Sequence, residues 1–205
     1  MLSRGTFVTN IAVIFYSATG NVDRIARSIG EGADSAGADV RVRRVVETAP
    51  DTAIDQNERW RAYQDSMAHE PVATLDDIEW ADGLAFGSPT RFGAPAAQLK
   101  ALLDSTGGLW AQGRLIDKVV TGFTSASTGH GGLESTVLAL LNTAYHWGSI
   151  VLPLGYTDAT VFTTGNPYGT SWVSRKGAAP DEATLATARH QGARLADVTA
   201  RLHPG

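Results

Sequence analysis

The sequence predicts an α/β fold, a doubly wound parallel sheet with helices on both faces, and three observations carry that prediction. Short apolar runs rich in β-branched residues alternate with segments of helical period along the whole chain, the pattern of a parallel sheet crossed over by helices. The 205 residues are 43% apolar and 19% charged, enough for one large hydrophobic core. The unusual loops follow the first, third and fourth strand-like runs, and open parallel sheets bind ligands beyond the carboxyl ends of their strands. No repeat, low-complexity tract or linker composition interrupts the chain, so residues 1–205 are expected to form a single domain.

The elements follow in order. Asn10–Tyr16 is a continuous apolar run ending at turn residues, a buried strand. Thr9 and Asn10 interrupt its approach and Arg4 is the sole charge before it, unlike a secretory leader. Val22, Ile25, Ala26, Ile29 and Ala33 repeat at helical spacing, and Gly37 closes that helix. Asp39–Val46 alternates valine with arginine, as a strand nearer a sheet edge does. Glu47–Asp77 loses the pattern and reads as a long excursion with a short helix carrying Trp60 and Tyr63. Excursions of this length in a compact fold are usually functional or an interface. A third strand, Ala81–Ser88, leads into a loop and then a helix, Pro95–Ser105. Thr106–Trp110 is expected as a loop, Lys118–Thr124 as a fourth strand and Leu133–Trp147 as a largely apolar helix. Ser149–Leu154 is a fifth strand, Tyr156–Pro180 a second long loop, and Leu185–Leu202 a final helix with Asp181 near its start.

Chemistry concentrates in three loops. Ser17, Ala18, Thr19, Gly20, Asn21 and Val22 stand between the first strand and the first helix. That order aims backbone N–H groups and the positive end of a helix dipole at a phosphate. The loop has no lysine and no GxGxxG spacing, so it is neither a Walker A loop nor a dinucleotide fingerprint. Amides with the hydroxyls of Ser17 and Thr19 suit a terminal phosphomonoester such as that of FMN, although serine, threonine and glycine are also ordinary turn chemistry here. Ser88-Pro89-Thr90-Arg91-Phe92-Gly93 places amides, a hydroxyl, a guanidinium and an aromatic ring within six positions. A flat heterocycle needs that mixture, polar groups at its rim and an apolar contact on its face. Ser125–Gly132 is rich in serine and glycine and can approach a ring closely with backbone.

The formal charge of −4 and pI near 5.7 argue against nucleic-acid binding through a basic surface and against a polybasic membrane patch. The absence of cysteine excludes disulfides, thiolate metal sites and cysteine nucleophiles. The five histidines have no HExxH or other metal-ligand spacing, so no metal is expected. No apolar stretch approaches a membrane span, and a cytoplasmic location is expected.

Ser17–Val22, Gly87–Gly93, Gly107-Gly108-Leu109-Trp110-Ala111, Ser127–Glu134, His146 and Gly155-Tyr156 together resemble the WrbA-type flavodoxin-like NAD(P)H:quinone oxidoreductases, in the family's order and over nearly the whole chain. The resemblance implies a flavodoxin-like five-stranded sheet of order 2-1-3-4-5, FMN as cofactor, NADH or NADPH as electron donor, two-electron reduction of quinones, and a homotetramer built as a dimer of dimers. It implies that Ser17–Val22 hold the FMN phosphate and that Pro89, Thr90, Arg91, Phe92 and Gly93 line the isoalloxazine. Ser127, Thr128, Gly129, His130 and Gly131 would bind its pyrimidine side. His146 corresponds to the family histidine at the flavin, and Trp110 to the aromatic that walls the quinone pocket from a neighbouring subunit. The chain departs from the pattern at Thr19, where the family often has an aromatic, at His130 in a loop usually richer in glycine, and in the hydrophilic Glu47–Asp77 excursion. Two other classes share the fold, a flavodoxin-type electron carrier and an FMN-binding regulatory protein. The modest acidity and the two long loops speak against a carrier that docks on basic partners.

Overall fold

A computed structural model describes residues 8–203; Arg4 and the rest of the first seven residues lie outside it. The first strand, β1 (Asn10–Phe15), is buried on both faces, and its alternate side chains feed two separate cores. Ala12, Ile14 and Tyr16 join one cluster, whereas Ile11, Val13 and Phe15 join the other. Helix α1 (Asn21–Ser35) lays its Val22, Ile25, Ile29 and Ala33 stripe against the second cluster, and Gly37 ends its turn in the left-handed region. Strand β2 (Asp39–Arg44) pairs parallel with β1 and keeps its arginines at the edge.

The excursion is more ordered than its sequence suggests. It contains α2 (Asp51–Ile54), α3 (Glu58–Ser66) and α4 (Leu75–Trp80). Asn57 caps α3 by accepting from the Arg59 and Trp60 amides, and Thr74 with Asp77 forms a capping box on α4. Asp77 also pairs with Arg41 at 3.1 Å and Arg43 at 3.2 Å, which ties α4 to the β2 edge.

Strand β3 (Gly83–Arg91) runs three residues beyond the expected end, through Pro89 and Thr90, and turns back at Phe92-Gly93 into the two-residue β4 (Ala94–Pro95). The expected loop is therefore a β-hairpin. Helix α5 (Ala97–Asp104) follows, and the expected loop at Thr106–Trp110 is instead a short helix, α6 (Gly107–Ala111). Strand β5 (Val119–Ala126) is buried along its whole length and leads to α7 (Leu133–Trp147), whose bounds match the sequence reading.

The sheet order β2-β1-β3-β5-β6 is the expected 2-1-3-4-5 when the through-running strands are counted. The fifth position is shared by two short pieces. The pair Ile150–Val151 (β6) lies beside the start of β5, and Ser171–Val173 (β7) lies beside its end. Between them the chain detours through α8 (Ala159–Thr164), so the long loop expected over Tyr156–Pro180 holds a helix, a strand and a 3-10 turn at Arg175–Gly177. The gap between the two pieces is closed by Gln191 of α9 (Glu182–Leu202). Its buried amide donates to Thr121 Oγ1 at 2.8 Å and the Gly122 carbonyl at 2.9 Å, and accepts from the Thr170 amide at 2.9 Å. The side chain stands in for the missing stretch of strand. Helices α1 and α9 pack in close contact through Gly32 and Gly192, where a Cβ on either would run into backbone of the other helix.

Candidate functional site

The carboxyl ends of β1, β3 and β5 open onto one cleft of about 280 Å³. Ser17, Ala18, Thr19, Asn21 and Val22 form one wall, Pro89, Thr90 and Arg91 a second, and Ser125, Ala126 and Ser127 a third. Convergence of the three loops follows from the topology, because parallel strands put all their carboxyl ends on one edge.

The phosphate-loop geometry suits an anion. Gly20 sits at φ 91° and ψ −11°, a left-handed conformation that a side chain would strain, and turns the chain so that α1 begins at the cleft. Among the described residues no side chain caps the first turn of α1, so its amides remain available to a ligand. The Ser17 hydroxyl accepts from the Gly20 amide at 3.0 Å, leaving its own hydrogen to donate. Tyr63 of α3 packs its ring against Gly20, 3.3 Å from where a Cβ would stand, and its buried hydroxyl lacks a hydrogen-bond partner among the described residues. Together, an uncapped helix, a serine hydroxyl at the cleft wall and a cradle that only glycine fits are consistent with a phosphomonoester, and the residues present fit FMN.

The β3 hairpin and the β5 loop are locked together. Thr90 Oγ1 donates to the Gly131 carbonyl at 3.0 Å and accepts from Thr136 Oγ1 at 2.8 Å. Ser135 Oγ donates to the Gly93 carbonyl at 2.9 Å. These bonds, with the parallel pairing of Pro89 to Ser125, hold the hairpin and the end of β5 at a fixed spacing, as recognition of a flat ring requires. Other site residues lie elsewhere. Phe92, at φ 52°, is fully exposed at the hairpin tip and does not line the cleft. Thr128, Gly129 and His130 are exposed beyond the rim, and Gly131 and Gly93 serve the hairpin contact.

His146 and Trp110 are far from the cleft of their own chain. Helix α7 starts at the cleft edge, and His146 lies thirteen residues on, about 20 Å along the axis. There Trp110 Nε1 donates to the His146 carbonyl at 2.9 Å. Both side chains are exposed, beside exposed Tyr145 and Ile116. The hydrogen bond of Ile150 to the Lys118 carbonyl places this corner at the amino edge of the sheet.

Two contributors come from the excursion and were missed as site residues by sequence reasoning. Asn57, the cap of α3, and Trp60 within it form a further wall of the cleft, with Ser174 lining it from the segment after β7. Behind Trp60 stands Glu47, whose carboxylate accepts from Tyr16 Oη at 2.6 Å, Trp60 Nε1 at 2.9 Å and Gln98 Nε2 at 2.6 Å. It also accepts from the amides of Thr48 and Ala49, both at 2.9 Å. Burial pushes the Glu47 carboxyl up, but these hydrogen bonds outweigh it and hold the group below the ordinary glutamate range. Burial and the bond to Glu47 drive the Tyr16 phenol far up, so it stays a donor at any physiological pH.

The family model for NADPH-dependent FMN reductases matches residues 9–161, and the chain belongs to that family. It is 42% identical over 198 residues to the NAD(P)H dehydrogenase (quinone) of Deinococcus radiodurans, covering 96% of this chain and 98% of that protein. The protein of the same name from Geotalea daltonii is 40% identical over 200 residues, covering 94% and 97%. Among solved structures, a flavodoxin, WrbA-like protein from Agrobacterium tumefaciens superposes with a TM-score of 0.68 at 23% identity, covering 94% of this chain and 98% of that one. The fold is flavodoxin-like.

Proposed function

We propose that this chain is an FMN-dependent NAD(P)H:quinone oxidoreductase, working as one FMN-binding unit over residues 1–205. The observation that carries the proposal is the cleft itself. Three strand ends bring an uncapped helix N-terminus and a rigid polar slot together, and relatives that match nearly end to end bear the name NAD(P)H dehydrogenase (quinone).

The chemistry that bound FMN supplies is two-electron transfer from NAD(P)H to a quinone, in a ping-pong sequence. The rest falls to the protein. Amides of the first α1 turn with the Ser17 and Thr19 hydroxyls would hold the phosphate, and Pro89–Arg91 and Ser125–Ser127 would fix the ring. His146 would donate a hydrogen bond to the quinone oxygen as negative charge develops there, and Trp110 would wall the quinone pocket. In one chain these two residues stand about 20 Å from the cleft. They reach a flavin only when a second copy brings its amino edge to the first copy's carboxyl edge, which supports assembly of at least two copies; the homotetramer built as a dimer of dimers is what the family resemblance adds. The exposed Trp110, Tyr145 and Ile116 at one edge and Phe92 at the other supply apolar surface for that contact. Use of NAD(P)H as donor accords with a cytoplasmic reaction.

Steady-state oxidation of NADH and NADPH with benzoquinone, in the presence of FMN, tests the reading. His146→Ala should lower kcat about tenfold to a thousandfold while FMN stays bound. An unchanged kcat/KM with several quinones would remove that role.

A further inference from the structure

Among the described residues, the cleft has one aromatic side chain in its lining, and it is not the one the sequence points to. Phe92 faces solvent, and Trp60 of α3 faces the cleft. The remainder of the lining is hydroxyls, amides, one guanidinium and small apolar side chains, which can serve the rim of a flat heterocycle but offer little to its face. Thr19 leaves the phosphate loop without an aromatic of its own.

Trp60 is held rather than loosely presented. Its indole N–H donates to Glu47 at 2.9 Å, and Glu47 is fixed in turn by the Tyr16 hydroxyl at the end of β1, by Gln98 on α5 and by two amides of its own loop. Helix α3 is also tied across the cleft mouth, where Arg59 donates to the Lys176 carbonyl at 3.0 Å, next to the Ser174 wall. Arg61 clamps α3 back onto α2 through Asp51 at 2.6 Å and Asp55 at 2.7 Å. A nine-residue helix that meets the cores only through its half-buried Trp60 and Tyr63 is thus pinned from three sides. That arrangement has an evident use if its indole must keep one orientation.

We propose that Trp60 contacts the flavin as the apolar wall of the FMN site, and that Glu47 is the positioning residue that fixes the angle of its ring. The inference rests on the FMN reading above. Glu47 acts through the indole, so its effect on the cofactor should vanish when the indole is absent.

The test is FMN titration of the wild type, Trp60→Ala, Trp60→Phe, Glu47→Gln and the Glu47→Gln/Trp60→Ala double variant, reading both Kd and the fluorescence of the bound flavin. The wild type should quench flavin fluorescence strongly. Trp60→Ala should bind FMN roughly tenfold more weakly, the scale of losing one stacked aromatic, with brighter bound flavin. Trp60→Phe should recover most of the affinity, which separates a lost ring face from a misfolded α3. Glu47→Gln should raise Kd and brightness in the wild-type background and change neither in the Trp60→Ala background. Wild-type Kd and quenching in Trp60→Ala would overturn the wall while leaving the FMN reading intact. Equal losses from Glu47→Gln in both backgrounds would overturn the positioning role. A wild type that binds no FMN would overturn both the inference and the reading beneath it.

Discussion

Phe92 occupies a backbone position that favours asparagine or glycine. It is the first central residue of a two-residue hairpin turn, at φ 52°, followed by Gly93 at φ 79°. Left-handed backbone costs a bulky L-residue about 1 kcal/mol, and here the ring gains no contact within the chain to offset it. In the proposed assembly, a second copy packed on the hairpin tip would offset that cost. Phe92→Asn is therefore expected to raise the Tm of the dilute, monomeric chain by about 2–4 °C and to weaken self-association seen by light scattering. A lower Tm with unchanged assembly would contradict this. At the residue scale the sequence shows which side chains suit the ligand more readily than where they point. The Ser17–Val22 loop was legible because a strand, a turn and a helix in immediate succession are local. Glu47 was not, because its meaning lies in partners at Tyr16, Trp60 and Gln98 that only the folded chain brings within reach.

Among elements, periodicity read the sheet and the long helices well. Leu133–Trp147 matches α7, and the first four expected strands are present, three of them apolar runs and β2 a valine–arginine alternation at the edge. Where capping and long-range pairing decide, the pattern was silent. Short helices in the Glu47–Asp77 excursion depend on the Asn57 and Thr74 caps, and Gly107-Gly108 disguised α6 as a loop. The fifth strand was misjudged for a different reason. Its pairing is split between β6 and β7, and a glutamine from α9 completes the interval. Gln191 makes three hydrogen bonds in a buried gap, so Gln191→Leu should strand the Thr170 amide and the Gly122 carbonyl. The expected loss is about 1–3 kcal/mol, read as a lower midpoint in urea with unchanged slope. Little change in midpoint would mean that the gap admits water and that the strand surrogate is not structural.

At the scale of the molecule, one edge of the sheet holds the cleft and the other holds His146 and Trp110. The sequence motifs imply both halves of a site, but a single chain keeps them about 20 Å apart along α7. The resemblance already assigns Trp110 to a neighbouring subunit; the fold adds that His146 lies beside it, about 20 Å along α7 from the cleft edge. On the proposed reading, in which a second copy supplies His146 and Trp110, a variant that folds and binds FMN but stays monomeric should reduce quinones poorly. The central claim, that the three strand-end loops form a flavin site that passes electron pairs from a pyridine nucleotide to a quinone, is tested most directly in one cuvette. The purified protein with stoichiometric FMN is scanned anaerobically, reduced with NADH or NADPH, and then given benzoquinone. The account predicts that the flavin bands bleach with nucleotide and return in full with quinone. FMN that binds tightly yet is reduced by neither nucleotide, or no FMN binding at all, would contradict it.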